Sequence, residues 1–443
     1  MSEITILIPS NNTIEREYII ELIFNTFLGL RYNLRIDDSI DNYILRFEDK
    51  ELIFVDYLWS KKKEDLSYLN ISSLPTKIIY ANNPYLIEEN IPILYGSTQL
   101  TTTNDSIICG IDIFASIFFM LTRWEEYIRP SQDNFGRFKG VDCIAHKNNF
   151  LHRPIVNEYI EMLWNMLASL GFNGMRKKQN FELILTHDVD HITIPLLEKI
   201  LVLAGYLIKR FDLRKSLLQF THLFYNPIDT FSFLMSVSES KGIKSRFYFK
   251  SEYLEKSFFG IKLKSKGRLK SLIAEIKKRG HIVGFHPDIQ TYMDEMKWKV
   301  ERIAIENMFN VKLLEGRQHY LMMALPNTLN IWNNLGMELD STLGYHDIEG
   351  FRCGTGNKFH FFDFLNRKKL DLIECPLVIM DGTLQVYRSM SILQASNTLT
   401  YYFSIGKKYS MPITLLFHNS IFASWERSKQ MYKDIISNLD TIQ

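Results

Sequence analysis

Beyond residue 180 the chain switches repeatedly between short apolar runs and segments of helical spacing, and that alternation limits the folds open to it. Strand-like runs fall at 181–186, 247–249, 282–285, 372–374 and 413–417, with helical patterns near 269–278 and 298–309. The pattern predicts an α/β fold, a largely parallel sheet with helices outside it. In such folds ligands gather beyond the carboxyl ends of the strands. The first run carries the most chemistry. Phe181, Leu183, Ile184 and Leu185 lead directly into Asp188 and Asp190. Residues two apart in an extended backbone project to the same side, which puts both carboxylates on one face at a strand end. One can then bind a metal while the other accepts a proton. Taken alone, the pair suits a solvated turn or a helix N-cap equally well.

With 443 residues the chain has room for two or three domains. Hydrophobic residues at 46% and charged residues at 23% are ordinary for globular proteins, and 31 Phe with 22 Tyr point to large cores. A formal charge of +2 gives no general attraction to nucleic acid. The start, Met1-Ser2-Glu3-Ile4-Thr5-Ile6, lacks the pattern of a secretory signal, and no apolar run is long enough to span a bilayer. Cys109, Cys143, Cys353 and Cys375 are widely spaced with no CxxC. Free thiols in a cytoplasmic protein are expected.

Residues 1 to about 150 read as mixed α/β, with strands at 4–8, 52–55 and 77–80, helices at 15–28 and 113–127, and a polar loop over 130–152. A helix over 156–170 follows and stops at Gly171. Residues 195 to about 240 lengthen the first strand-to-strand connection. There Leu196, Leu197, Ile200, Leu201, Leu203 and Leu207 interleave with Lys199, Lys209, Arg210, Arg214 and Lys215. This fits amphipathic helices packed on the sheet, or a basic amphipathic segment over 195–225 that touches a membrane surface or a partner.

Four strings, in order, resemble the motifs of polysaccharide deacetylases of the NodB-homology type (carbohydrate esterase family 4). They are Thr186-His187-Asp188-Val189-Asp190, Gly280-His281-Ile282-Val283-Gly284-Phe285-His286-Pro287, Arg317-Gln318-His319-Tyr320-Leu321 and Leu415-Leu416-Phe417-His418-Asn419. Two more, Asp340 to Tyr345 and Gly350 to Thr355, resemble a bacterial subgroup with an extra N-terminal domain. The resemblance implies an irregular (β/α) barrel over 176–443, with the helical insert inside it, preceded by a smaller α/β domain over 1–175. It also implies a divalent metal, usually zinc, and hydrolysis of an N-acetyl group on an amino sugar of a polysaccharide or its precursor.

Carried over residue by residue, the resemblance makes Asp190 and His286 metal ligands and Asp188 the base that takes a proton from the attacking water. His418 becomes the acid that protonates the leaving amine, and Arg317 the partner that orients Asp188. His319, Tyr320, Asp347 and Arg352 would meet the substrate. The family's second ligand histidine falls on Gln290, a weaker ligand for zinc than imidazole, so His191 or His319 could serve as third ligand instead. His281 lies five residues before His286 and points to the other face of a strand. Structural roles also suit several of these residues: strand capping for His286, loop hydrogen bonding for His418, and a turn for Asp347 or Arg352. The expected setting is cytoplasmic, at the inner membrane face, with the oligomeric state open. Two other functions fit the same residues: metal-free hydrolysis of another C–N amide, and glycan binding without catalysis.

Overall fold

The computed structural model describes residues 3–61, 63–194, 196–209, 211–250 and 261–442. Within helices, the side chains of 196–198, 209, 214, 215, 218 and 261–266 are outside that description. Met1 and Ser2 of the N-terminal pattern, and Leu196, Leu197, Lys209, Arg210, Arg214 and Lys215 of the insert pattern, therefore lie wholly or by their side chains outside the described residues.

The chain packs as two compact units. The first comprises Met1–Phe181, Leu321–Val378 and Tyr409–Pro412; the second comprises Glu182–Tyr320, Ile379–Lys408 and Ile413–Gln443. The strand Lys368–Glu374 belongs by packing to the first unit.

In the first unit, Ile4–Ile8 pairs parallel with Tyr32–Ile36 and antiparallel with Tyr43–Phe47, while Lys50–Phe54 pairs parallel with Ser106–Ile111. Helix Ile113–Thr122 is buried along its whole length, and the Asp112 carboxylate caps it by accepting from Ala115 N at 2.9 Å. The sequence predicts one helix through 127. Instead it breaks at Arg123, whose φ is +54°, and restarts as Trp124–Ile128. A buried ion cluster fixes that break: Arg123 pairs with Glu125 and Glu126 and donates to Tyr345 Oη at 3.0 Å. Helix Ile155–Ser169 ends just before Gly171, whose φ of +88° suits a C-terminal stop.

In the second unit, strands and helices alternate as the pattern predicts. Glu182–Val189, Arg246–Phe249, Ile282–Phe285 and Glu315–Gly316 are neighbours in that order, and Pro412–Leu416 flanks Glu182–Val189. Arg246–Phe249 pairs parallel with both of its neighbours. Helices Phe231–Glu239, Ile261–Lys278 and Glu295–Phe309 fill the intervals. The central strands are buried on both faces, as near-continuous runs such as Phe247-Tyr248-Phe249 require. A Cβ on Gly316 would collide with the Phe285 carbonyl oxygen. Glycine there lets the two strands close, and this brings Arg317 level with His286.

Candidate metal and acid–base site

Every group in this site belongs to the second unit and stands at or just beyond the carboxyl end of a strand. Asp188 and Asp190 end Glu182–Val189, Lys250 follows Arg246–Phe249, and His286 follows Ile282–Phe285. Arg317 and His319 follow Glu315–Gly316, Asp381 follows Leu377–Met380, and His418 lies two residues past Pro412–Leu416.

Arg317 is fully buried and donates from Nη1 to Asp188 Oδ1 at 2.8 Å. Burial pushes the Asp188 carboxyl up, but the Arg317 guanidinium together with His286 and His418 holds it below its ordinary value. Asp188 is therefore ionised at neutral pH. The Arg317 carbonyl has a second task, accepting from His286 Nδ1 at 2.7 Å. Because Nδ1 carries the proton there, a neutral His286 presents a lone pair at Nε2. That nitrogen lies 3.5 Å from Asp190 Oδ1 and 3.8 Å from Asp188 Oδ2, and it has no hydrogen-bond partner.

His319 completes the group, with Nε2 3.3 Å from Asp190 Oδ1 and Nδ1 without a hydrogen-bond partner. Burial lowers its pKa more than Asp190 raises it, so the ring is neutral at pH 7. Buried Lys250 places Nζ 3.4 Å from His319 Nε2. Asp190 Oδ1 is likewise buried without a hydrogen bond. Burial pushes the Asp190 carboxyl up, but His286, His319 and His418 hold it well below the usual range. One ligand atom from each of Asp190, His286 and His319 lies within 4.8 Å of the others. Lone pairs facing one another across such a gap are unfavourable unless a cation lies between them. Two imidazoles and a carboxylate form a suitable donor set for zinc or a similar divalent ion.

Beside Asp190 stands His418. Asp381, fully buried, accepts from His418 Nδ1 at 2.7 Å and from His418 N at 2.6 Å. Burial works against the imidazolium, but Asp381 prevails and raises the pKa to about 10. Nε2 of His418 turns toward Asp190 Oδ2 at 3.8 Å.

The structure therefore gathers Asp188, Asp190, His286, Arg317, His319 and His418. Gln290 is not among them. It sits exposed on the turn Ile289–Thr291, where its Oε1 accepts from Lys297 Nζ at 2.7 Å. The Asp288 side chain caps that turn, and it is His319 that stands beside Asp190 and His286. Tyr320 adjoins His319 with ring centroids 4.5 Å apart and is 43% exposed. Asp347 and Arg352 belong to the first unit and are engaged there. Asp347 accepts from Gly140 N and Val141 N. Arg352 is held by Glu126 through Nε and Nη2 and by Gly344 O through Nη1. His281 accepts from Ser245 N at 3.0 Å and faces Glu239, away from the cluster. Asp381 and Lys250 are additions that sequence reasoning missed. The only sequence signal for either was a charged residue directly after an apolar run.

A model for a family of unknown function, DUF7033, matches residues 4–171. No curated protein matches the chain. Among solved structures it is similar to a Mycobacterium smegmatis protein provisionally assigned as a polysaccharide deacetylase, at 14% identity and a TM-score of 0.40, covering 59% of this chain and 85% of that one. It is also similar to a polysaccharide deacetylase from Bacillus cereus, at 12% identity, TM-score 0.30 and coverage of 60% and 88%. A third is a carbohydrate esterase family 4 pseudoenzyme from Bacillus anthracis, at 8% identity, TM-score 0.29 and coverage of 60% and 62%. Likenesses this faint leave the chemistry to be derived from the site itself.

Proposed function

We propose that the second unit hydrolyses an amide with the help of a divalent metal, and that its substrate is an N-acetylated amino sugar in a polysaccharide or its precursor. The observation that carries this reading is the pair of opposed devices beside one ligand triad: a carboxylate kept ionised by Arg317, and an imidazolium kept charged by Asp381. Asp190, His286 and His319 would hold the ion, which when bound acidifies water and polarises the amide carbonyl.

The residues of the chain supply the remaining steps. Asp188, tied to Arg317 through Oδ1, keeps Oδ2 for the proton of the attacking water. As the acyl C–N bond breaks, His418 gives its Nε2 proton to the leaving nitrogen, so that a neutral amine departs rather than an amide anion. Acetate and the free amino sugar are the products. Asp381 fixes the tautomer and orientation of His418 throughout. The open row of strands in the second unit fits the irregular barrel expected from the sequence.

Acetate release from N-acetylated sugar oligomers by the metal-loaded full chain tests the reading. Asp188→Asn should lower kcat on the order of 10³-fold while circular dichroism stays unchanged. Full activity in that variant would remove Asp188 from the role of base.

A further inference from the structure

The first unexplained feature of the second unit is the connection inserted after the Asp188–Asp190 strand. It forms two helices, Leu196–Ala204 and Leu213–His222, joined through the π-helical turn Gly205–Lys209. If these helices packed their apolar faces on the sheet, those side chains would be buried. Instead Leu201, Ile208, Phe211, Leu213, Leu217 and Phe224 are between 63% and 81% exposed. This is the densest run of exposed large apolar side chains among the described residues. A monomeric soluble surface rarely carries such a patch without an occupant.

The hairpin is nonetheless a built element. Lys199 Nζ donates to the carbonyls of His222 and Tyr225 at 2.8 and 2.7 Å, tying the first helix to the end of the second. Asn226 Nδ2 donates to Ile192 O at 2.7 Å and closes the base. Asn419, the residue after His418, bonds His191 O and Ile228 O at 2.9 Å each. The hairpin is thus rooted at the strand ends that carry the candidate site.

We propose that this hairpin docks the protein on an anionic lipid bilayer surface. Residues 196–225 contain five lysines and arginines against two acidic residues, interleaved with Leu, Ile and Phe. A bilayer of anionic headgroups meets both parts at once, with acyl chains for the apolar tips and phosphates for the bases. A second copy of this chain is a poorer occupant, because it would set one net-positive segment against another. No helix among the described residues is long and apolar enough to cross a membrane, so the contact is peripheral. The inference holds whichever bond the site cleaves.

Vesicle flotation with the full chain tests it. Binding to phosphatidylglycerol-containing vesicles at about 0.1 M salt should fall at least about tenfold with phosphatidylcholine alone, or near 1 M salt. Leu213→Asp/Leu217→Asp/Phe224→Asp should lose binding with the wild-type melting temperature, and Phe211→Ser alone should weaken it. Failure of the wild type to float overturns the proposal, as does undiminished binding by both variants. A wild-type dimer that the triple variant converts to monomer also overturns it, by assigning the face to a second copy.

Discussion

Two clusters of buried charge can be compared, and they differ in what is left over. In the first unit, Arg123, Glu125, Glu126 and Arg352 satisfy one another. Glu125 accepts from Arg123, Arg129 and Ile144 N, and Glu126 accepts from Arg123 and from two nitrogens of Arg352. In the second unit, Asp190 Oδ1 and His286 Nε2 lie 3.5 Å apart, both buried with no hydrogen bond. Native interiors seldom leave polar atoms unmatched. The saturated cluster explains itself as structure, holding a broken helix in place. The unsaturated one is what the proposed divalent cation would complete.

The contrast is broken most forcefully at Glu126. Glu126→Gln leaves two buried guanidinium groups without their shared carboxylate. Stability should fall by about 3–5 kcal/mol, read as a lower urea midpoint, with turnover per folded molecule unchanged. An activity loss that exceeds the loss of folded protein would mean that the first cluster has a chemical role too.

A smaller and more selective effect is expected at Asp381. The His418 pKa is raised by that carboxylate, so the imidazolium persists as pH rises until about 10. The stability it contributes is complete below the ordinary value of about 6.5 and is lost as pH rises through the folded value. Asp381→Asn should therefore move the alkaline limb of the kcat/KM profile down toward about pH 6.5. An unmoved limb would take the role of acid away from His418. The smallest effect belongs to Gln290. Gln290→Ala removes only an exposed contact with Lys297 and should change stability by less than about 0.5 kcal/mol, with metal affinity unaltered. A marked loss of affinity would return position 290 to the site.

These outcomes follow how far the sequence could be read. Apolar runs ending in Asp188, His286 and His418 located the strand ends, because buried strands leave a plain signature and the chemistry lies just beyond it. Gln290 misled because a spacing of four residues says nothing about direction once a capped turn intervenes. Arg352 and Asp347 show another limit: a charged residue in a glycine-containing stretch reads the same whatever its partner, and here Glu126 holds Arg352. Asp381 went unnoticed since its contact with His418 spans 37 residues and no local pattern encodes it. The break at Arg123 was hidden for the same reason, being set by Glu125, Glu126 and the distant Tyr345. Long-range pairing decided each of these cases.

The most direct test of the central claim is calorimetric titration of chelator-stripped full chain with zinc, cobalt and manganese, beside Asp190→Ala. The account predicts about one ion bound per chain, a melting temperature that rises with metal, and loss of both in the variant. No binding to the wild type at about 1 mM metal, or undiminished binding by Asp190→Ala, would contradict it.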